Sequence, residues 1–319
     1  MHIVINGWFC GQLTSGSGQY LEQLLVQLPV QAPQVQWTVL WPRIAGEPFP
    51  VSTPTNVTIL PLPLPRLPKN LAKLWWEQVT VPAWANRLQA DRLWVPYWAA
   101  PYWQPVPVIV TVHDLIPLLL PGYRGGRLQR LYTWLVSQSA RRSARIITVS
   151  EASKRDLVQH LGISPARVQV VYHGPNLLVG NTLGEETMEA VRQKFQLPTR
   201  FFLYVGGFDQ RKNVSGILHA YARYLAKGGD PTVQLVIAGR LPTTDSAFAP
   251  DPQKIAVALG LRGQVHYCGF VDETEKAVLY QLATAYLFPS FYEGFGMMVL
   301  EAIASGAPII TSANRPLEG

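Results

Sequence analysis

The sequence is poor in cysteine, in charge and in long apolar runs. Its 319 residues hold two cysteines, Cys10 and Cys268. They stand far apart in the chain and Cys10 closes a strand-like start, so no disulfide framework is expected and a reducing cytoplasm is. No stretch reaches the roughly 18 uninterrupted apolar residues of a membrane-spanning helix. The amino terminus, Met1 to Phe9, runs straight into a strand pattern without a basic lead or a long apolar core, so no signal peptide is read there. No repeat of short period recurs. These absences leave a protein expected to be soluble, or attached to a membrane only peripherally.

What is present suits a folded enzyme-sized chain. Apolar residues make up 48% and charged residues 15%, ample for buried cores, and the length suggests two domains. The net charge is +7. It is spread along the chain with no recognition module, so nucleic acid is not the expected partner. Anionic lipid headgroups or a diphosphate-bearing substrate account for the balance as well.

Short β-branched runs alternate with helix-length stretches, the signature of βαβ units and parallel sheets. The runs are His2–Ile5, Trp37–Trp41, Leu93–Val95, Val108–Val112, Arg145–Val149 and Val168–Tyr172, then Phe201–Val205, Val233–Ala238, Gln264–Cys268, Ala285–Phe288 and Pro308–Thr311. The alternation weakens between His173 and Thr199, around Gly174, Pro175, Gly180 and Gly184. That stretch reads as a crossing between two Rossmann-like domains, residues 1–174 and 200–319, with a linker over 175–199. The chain stops at Pro316–Gly319, directly after a strand, so the second domain is expected to be truncated at its carboxyl end.

Four segments carry chemistry. After the strand ending at Phe288 come Glu293, Gly294, Phe295 and Gly296, then a helix holding Glu301. Glycines let the backbone approach a ligand, the free N–H groups of the helix start favour negative charge, and two carboxylates at this spacing suit different hydroxyls of one long ligand. After the strand ending at Val205 come Gly206, Gly207 and the adjacent cations Arg211 and Lys212, placed where fixed positive charge meets a departing anion. His113 and Asp114 follow a third strand, Asp114 reading as a loop-orienting residue. Gly16 and Gly18 form a short glycine turn with Thr14 into the first helix, a weak phosphate-cradling signal that departs from the longer dinucleotide fingerprint. Ser150 either lines the site or caps the helix that follows it.

The string from Pro289 to Ser312 closely resembles the E-x7-E region of the retaining glycosyltransferase family 4, the group 1 glycosyltransferases. Tyr204–Asn213 is similar to the same family's phosphate-binding signature, and the His113–Pro117 and Thr148–Ser153 segments are also family-like. The resemblance implies the α/β GT-B fold, two Rossmann-like domains facing across a cleft. It implies that Glu293 contacts the donor sugar, Glu301 the donor ribose, Phe295 and Gly296 offer backbone N–H groups, and Arg211 and Lys212 hold the diphosphate. His113 is implied to contact the transferred sugar, with Gly16, Gly18, Ser150, Gly207 and Gly294 beside the donor. Transfer by front-face attack is implied, without a protein nucleophile.

No Asp-x-Asp pair occurs, and Asp245 and Asp251 are isolated, so no metal and no cofactor are expected. The surroundings of His113 look most like bacterial mannosyltransferases of surface polysaccharide assembly, which implies mannose from GDP-mannose and a glycan or lipid-linked acceptor. A UDP-glucose-type donor, a UDP-sugar epimerase of the same fold and an inactive sugar-binding scaffold stay open. The Pro- and Trp-rich stretch Ile59–Leu88, with Lys69, Lys73 and Arg87, reads as core packing or as a membrane interface. Arg124, Arg127, Arg130, Arg141, Arg142 and Arg145 read as a solvated helix face or as contacts to anionic lipid.

Overall fold

A computed structural model describes residues 1–12, 15–43, 49–50, 53–175 and 183–312, and the elements named below lie among these described residues. The chain divides into two compact units, Met1–Tyr172 and His173–Gly319. Thr14, Gly180 and Pro316–Gly319, each used in the sequence reading, lie outside the described residues.

The first unit runs β1 (His2–Asn6), α1 (Gly16–Gln31), β2 (Gln36–Arg43), β3 (Val57–Pro63), α2 (Lys69–Trp75), a π-helical turn (Trp76–Thr80) and α3 (Val81–Arg87). It continues with β4 (Arg92–Val95), β5 (Val108–Thr111), α4 (Ile116–Leu119), α5 (Arg127–Arg142), β6 (Arg145–Thr148), α6 (Glu151–Leu161) and β7 (Val168–Val170). The strands form one parallel sheet in the order β3-β2-β1-β4-β5-β6-β7. Side chains alternate across it, as the strand pleat demands. Ile3 and Ile5 join Leu21, Leu25 and Val39 on one face, while Val4 joins Trp76, Val81 and Leu93 on the other. Both faces are therefore covered, the condition under which an all-parallel sheet survives.

The strands expected from the β-branched runs appear within about two residues of their expected ends. One strand escaped that reading. β3 contains Pro61 and Pro63, from the Pro- and Trp-rich stretch in which no strand was expected; it lies at the sheet's edge, paired to β2 with Trp41 opposite Pro61 and Arg43 opposite Pro63. Two prolines of equal parity aim their missing N–H groups at the same open side, where no ladder bond is lost. The tryptophans of the same stretch divide. Trp76 is fully buried and donates from Nε1 to Asn6 Oδ1 at 2.8 Å, whereas Trp75 is 49% exposed.

The second unit contains α7 (Glu185–Phe195), β8 (Arg200–Val205), α8 (Val214–Ala226), β9 (Val233–Ala238), α9 (Pro252–Ala258) and β10 (Val265–Gly269). It ends with α10 (Glu273–Leu282), β11 (Ala285–Phe288), α11 (Met297–Ala304) and β12 (Ile309–Thr311). Its parallel sheet has the order β10-β9-β8-β11-β12. One face packs Tyr204, Leu235 and Ile237 with Ile217 and Leu218 of α8; the other packs Leu203, Val236 and Tyr286 with Leu279 of α10 and Ala302 of α11. α7, inside the segment read as a linker, is tied to α10 by the Lys194–Glu275 ion pair.

In each sheet the strand order reverses beside the first strand, between β1 and β4 and between β8 and β11. Loops leaving the carboxyl ends of those neighbours diverge, and ligands of open α/β sheets bind in the crevice so formed.

Candidate functional site

In the second unit the reversal point gathers two loops that are remote in sequence. β8 and β11 are paired neighbours, Ala285 opposite Phe202 and Tyr286 opposite Leu203. Their carboxyl ends therefore deliver Gly206–Asn213 and Pro289–Gly296 to one place. Backbone and side chains then stitch the loops: Phe291 N donates to Arg211 O at 2.8 Å, Arg211 Nη1 to Tyr292 O at 3.0 Å, and Asn213 Nδ2 to Pro289 O at 3.2 Å.

The charged side chains of both loops meet on this frame. Arg211 Nη1 lies 2.5 Å from Glu293 Oε2, and Lys212 Nζ lies 2.7 Å from Glu293 Oε1. All three side chains are only 12–13% exposed, so their interactions are screened far less than those of surface pairs. Asp209 Oδ1 stands 3.4 Å from Arg211 Nε, and the Lys212 ammonium sits 5.3 Å from the centre of the Phe288 ring. The cluster is a preformed place for anionic and hydroxyl groups: two fixed cations and one carboxylate whose oxygens each accept from a different cation.

Backbone geometry explains the glycines. Gly206 has φ +152°, and a Cβ there would stand 2.9 Å from the Tyr204 hydroxyl; that hydroxyl donates to Gly207 O. Gly296 caps α11 in the left-handed region, φ 95°, a conformation that a side chain would strain. The helix carries no acidic residue in its first turn, so its leading N–H groups remain suited to an external acceptor. Gly294 is buried, and Phe295 lays its ring edge against His173 at 5.2 Å between centroids. Burial holds the His173 imidazole below its ordinary pKa.

Glu301 stands in a second cluster. It is 6% exposed, and its Oε2 lies 3.0 Å from Lys276 Nζ and 3.5 Å from the Tyr280 hydroxyl. Burial raises the Glu301 pKa and Lys276 only partly offsets it. For Lys276, burial pulls downward, but Glu301 and Glu273 outweigh it and the net shift is upward.

The first unit holds the remaining predicted residues past the carboxyl ends of β1, β5 and β6. His113, past the end of β5, lines a pocket of about 240 Å³ with Phe9, Lys73, Tyr97, Asp114 and Tyr132. Its ring meets Tyr20 edge-on at 4.8 Å, and its carbonyl accepts from the Ser153 hydroxyl at 2.9 Å. Asp114 Oδ1 accepts from Ile116 N at 2.9 Å, which fits a loop-orienting carboxylate. Ser150 is buried and its Oγ accepts from Ser153 N at 3.0 Å, capping α6. Gly16 opens α1 with space around it, whereas a Cβ on Gly18 would stand 2.2 Å from Gln12 O. The need for glycine at 18 is thus met by packing within the loop itself.

Two of the residues gathered here, Glu77 and Lys276, carried no sequence signal. Glu77, on the π-helical turn, is wholly buried, accepts from the Tyr132 hydroxyl at 2.8 Å and lies 3.4 Å from Lys73 Nζ. Burial raises its pKa against the opposing pull of Lys73 and Tyr132. The Lys73 ammonium in turn lies 5.4–5.6 Å from the ring centres of Phe9, Tyr97 and Tyr132. Lys276 of α10 pairs with Glu301 of α11 on the same face of the sheet, a contact no spacing announces. Asn213 alone left a trace, since asparagine tolerates the left-handed φ of 56° that it adopts before α8.

Comparison with known proteins gives this geometry a family. A profile described as Glycosyltransferase Family 4 matches residues 14–177, and one described as Glycosyl transferases group 1 matches residues 187–318. The serotype-specific mannosyltransferase WbdA of Escherichia coli is 27% identical over 225 residues, 65% of this chain and 25% of that protein. The O-antigen chain mannosyltransferase B of Escherichia coli is 27% identical over 208 residues, 64% of this chain and 52% of that protein. The chain thus spans between a quarter and about half of the length of these curated relatives. Among solved structures, the sucrose-phosphate synthase of Thermosynechococcus elongatus superposes with a TM-score of 0.69 at 20% identity, over 100% of this chain and 82% of that one. Anabaena HepE in complex with UDP and glucose superposes with a TM-score of 0.66 at 14% identity, over 99% and 82%. At these identities the likeness is one of fold, and the fold is GT-B.

Proposed function

The chain belongs to glycosyltransferase family 4, and from that premise we propose that it transfers a hexose, mannose from GDP-mannose, with retention of anomeric configuration to a glycan or lipid-linked acceptor. The observation that carries this reading is the Arg211–Glu293–Lys212 cluster at the β8/β11 reversal point. The mannose assignment draws support from relatives that are named mannosyltransferases.

In the proposed reaction the acceptor hydroxyl oxygen bonds to C1 of the donor sugar on the face from which the nucleoside diphosphate departs. The C1–oxygen bond to the diphosphate breaks, the pair of electrons leaves with the phosphate, and the hydroxyl proton passes to a departing phosphate oxygen. Arg211 and Lys212 meet the charge that grows on the leaving group. A diphosphate brings more negative charge than one carboxylate, so it displaces Glu293 from part of its pairing and frees that carboxylate to accept from sugar hydroxyls. Gly207, Gly294, Phe295 and Gly296 bring backbone close to the donor. Glu301, oriented by Lys276, takes the ribose. On the acceptor-side unit, His113 contacts the transferred sugar, with Gly16, Gly18 and Ser150 beside it. The two fixed cations do the charge-compensating work a divalent ion does elsewhere, and we assign no metal to the reaction.

The test is thermal-shift titration with GDP-mannose, UDP-glucose and ADP-glucose, followed by NMR of the product anomer. Stabilisation by GDP-mannose and a retained α-anomer are expected. Stabilisation by UDP-glucose alone overturns the donor, an inverted anomer overturns the mechanism, and stabilisation by none overturns the site.

A further inference from the structure

The first unit carries a surface that its core leaves unexplained. Leu71, Trp75 and Val79 recur every fourth residue along α2 and the π-helical turn, and are 41–52% exposed. On a helix, residues four apart lie one above another, so these side chains form one apolar ridge facing water. A second ridge runs along α5, where Leu128 is 84%, Leu131 60% and Trp134 54% exposed. At about 100° per residue, Arg127, Arg130, Leu131 and Trp134 fall on one face of α5. The opposite face, with Thr133, Val136 and Ala140, is buried.

The two ridges belong to one body. The Tyr132 hydroxyl of α5 donates to Glu77 on the π-helical turn. Tyr102 bridges them again, its N donating to Gln78 Oε1 at 2.9 Å while its hydroxyl accepts from Arg142 Nη2 at 2.7 Å. Next to Tyr102, Trp103 is 54% exposed.

Charge separates the possible occupants. Over residues 57–90 and 115–150 the sequence has ten lysines and arginines and a single acidic residue, Glu77, and Glu77 is fully buried. The surface these segments expose is thus apolar and cationic without a carboxylate to answer a basic partner. Aromatic and leucine side chains set among arginines match the boundary between lipid headgroups and acyl chains. Among the described residues no helix is long and apolar enough to cross a membrane, so such contact is made from the outside.

We infer that the exposed faces of α2, the π-helical turn and α5 form a docking surface for an anionic lipid bilayer, with Trp75, Leu131 and Trp134 entering the headgroup boundary and Arg127 and Arg130 meeting lipid phosphates. Neither donor nor acceptor enters this inference, so it stands or falls apart from the proposed transfer reaction.

The test is sedimentation of the full chain with vesicles of phosphatidylglycerol and phosphatidylethanolamine, against vesicles of phosphatidylcholine, without any sugar nucleotide. Uptake by the anionic vesicles about tenfold above the neutral ones, falling with added salt, is expected. Arg127→Glu with Arg130→Glu, and separately Leu131→Ser with Trp134→Ser, each abolish it, while Val26→Ser with Val30→Ser on α1 leaves it unchanged. Circular dichroism melts confirm that each variant is folded, and Leu128→Ser replaces any pair that is not. Equal uptake by both lipids, no uptake, or binding that survives both pairs overturns the inference. So does a dimer by light scattering that Leu131→Ser with Trp134→Ser splits, since the surface then serves a second copy of the chain.

Discussion

Lys212 Nζ donates to Glu293 Oε1 at 2.7 Å across 81 residues of sequence. The same carboxylate takes Arg211 on its other oxygen, so the groups assigned to the sugar and to the diphosphate restrain one another before any donor arrives. A site built in this way is preorganised, and its parts respond to one another when one is removed.

Lys212→Ala is expected to lower kcat by about 10²–10³ while the chain stays folded, because Arg211 still answers Glu293 but half of the leaving-group charge is unmet. Steady-state kinetics beside a circular dichroism melt decide it; unchanged turnover removes Lys212 from the site.

Glu293→Ala leaves two nearly buried cations facing one another. A stability loss of about 1–3 kcal/mol is expected in urea titration, together with loss of transfer. Because Glu293 no longer competes with an anion for Arg211 and Lys212, nucleoside diphosphate should stabilise the variant at least as well as the wild type. A thermal-shift series that shows weaker stabilisation contradicts the assignment of Arg211 and Lys212 to the diphosphate.

The two glycines at the start of α1 should part company. Gly16→Ala adds a Cβ into open space and is expected to alter stability by less than about 0.5 kcal/mol. Gly18→Ala drives a Cβ to 2.2 Å from Gln12 O and should cost about 2 kcal/mol or more. Denaturant midpoints of the two variants are the measurement.

Asn213 combines a left-handed backbone with a side chain that caps α8 and reaches Pro289 O. Asn213→Ala is expected to cost about 1–2 kcal/mol, and Asn213→Gly less, since glycine relieves the backbone part and leaves only the lost bonds.

The pH dependence of Glu301 follows from burial. Its folded-state pKa is raised above the ordinary glutamate value of 4.5, so the folded chain holds that proton more tightly than the unfolded chain. Its contribution to stability is greatest below pH 4.5 and is lost as pH rises through the folded-state value. Glu301→Gln removes the titration and with it part of the Lys276 pairing. Whatever its constant offset, the melting-temperature difference between variant and wild type should move in the variant's favour from pH 4 towards neutrality. A difference independent of pH over this range removes Glu301 as the titrating group.

Much of this protein can be read before it folds. Runs such as Val233–Ala238 and Phe201–Val205 announce strands because buried parallel strands need β-branched or bulky side chains on both faces. Glycines and charges at the ends of those runs mark Gly206–Asn213 and Glu293–Gly296 as candidate ligand loops. Val57–Pro63 was hidden, because proline is compatible with a strand only when that strand is an edge, and edges are assigned by the sheet. The split between Trp75 and Trp76 was hidden for a like reason: adjacent residues on a helix face about 100° apart, and only packing says which side is the core.

The sequence by itself determined the alternation of strands and helices, the two parallel sheets and the chemistry at the strand ends, because each depends on local periodicity and on residue type. The tertiary structure alone decided that β8 lies beside β11, and therefore that Arg211 and Lys212 meet Glu293 while Glu301 turns to Lys276. Strand order is settled by which apolar faces bury one another over the whole sheet, a long-range competition that no single segment encodes.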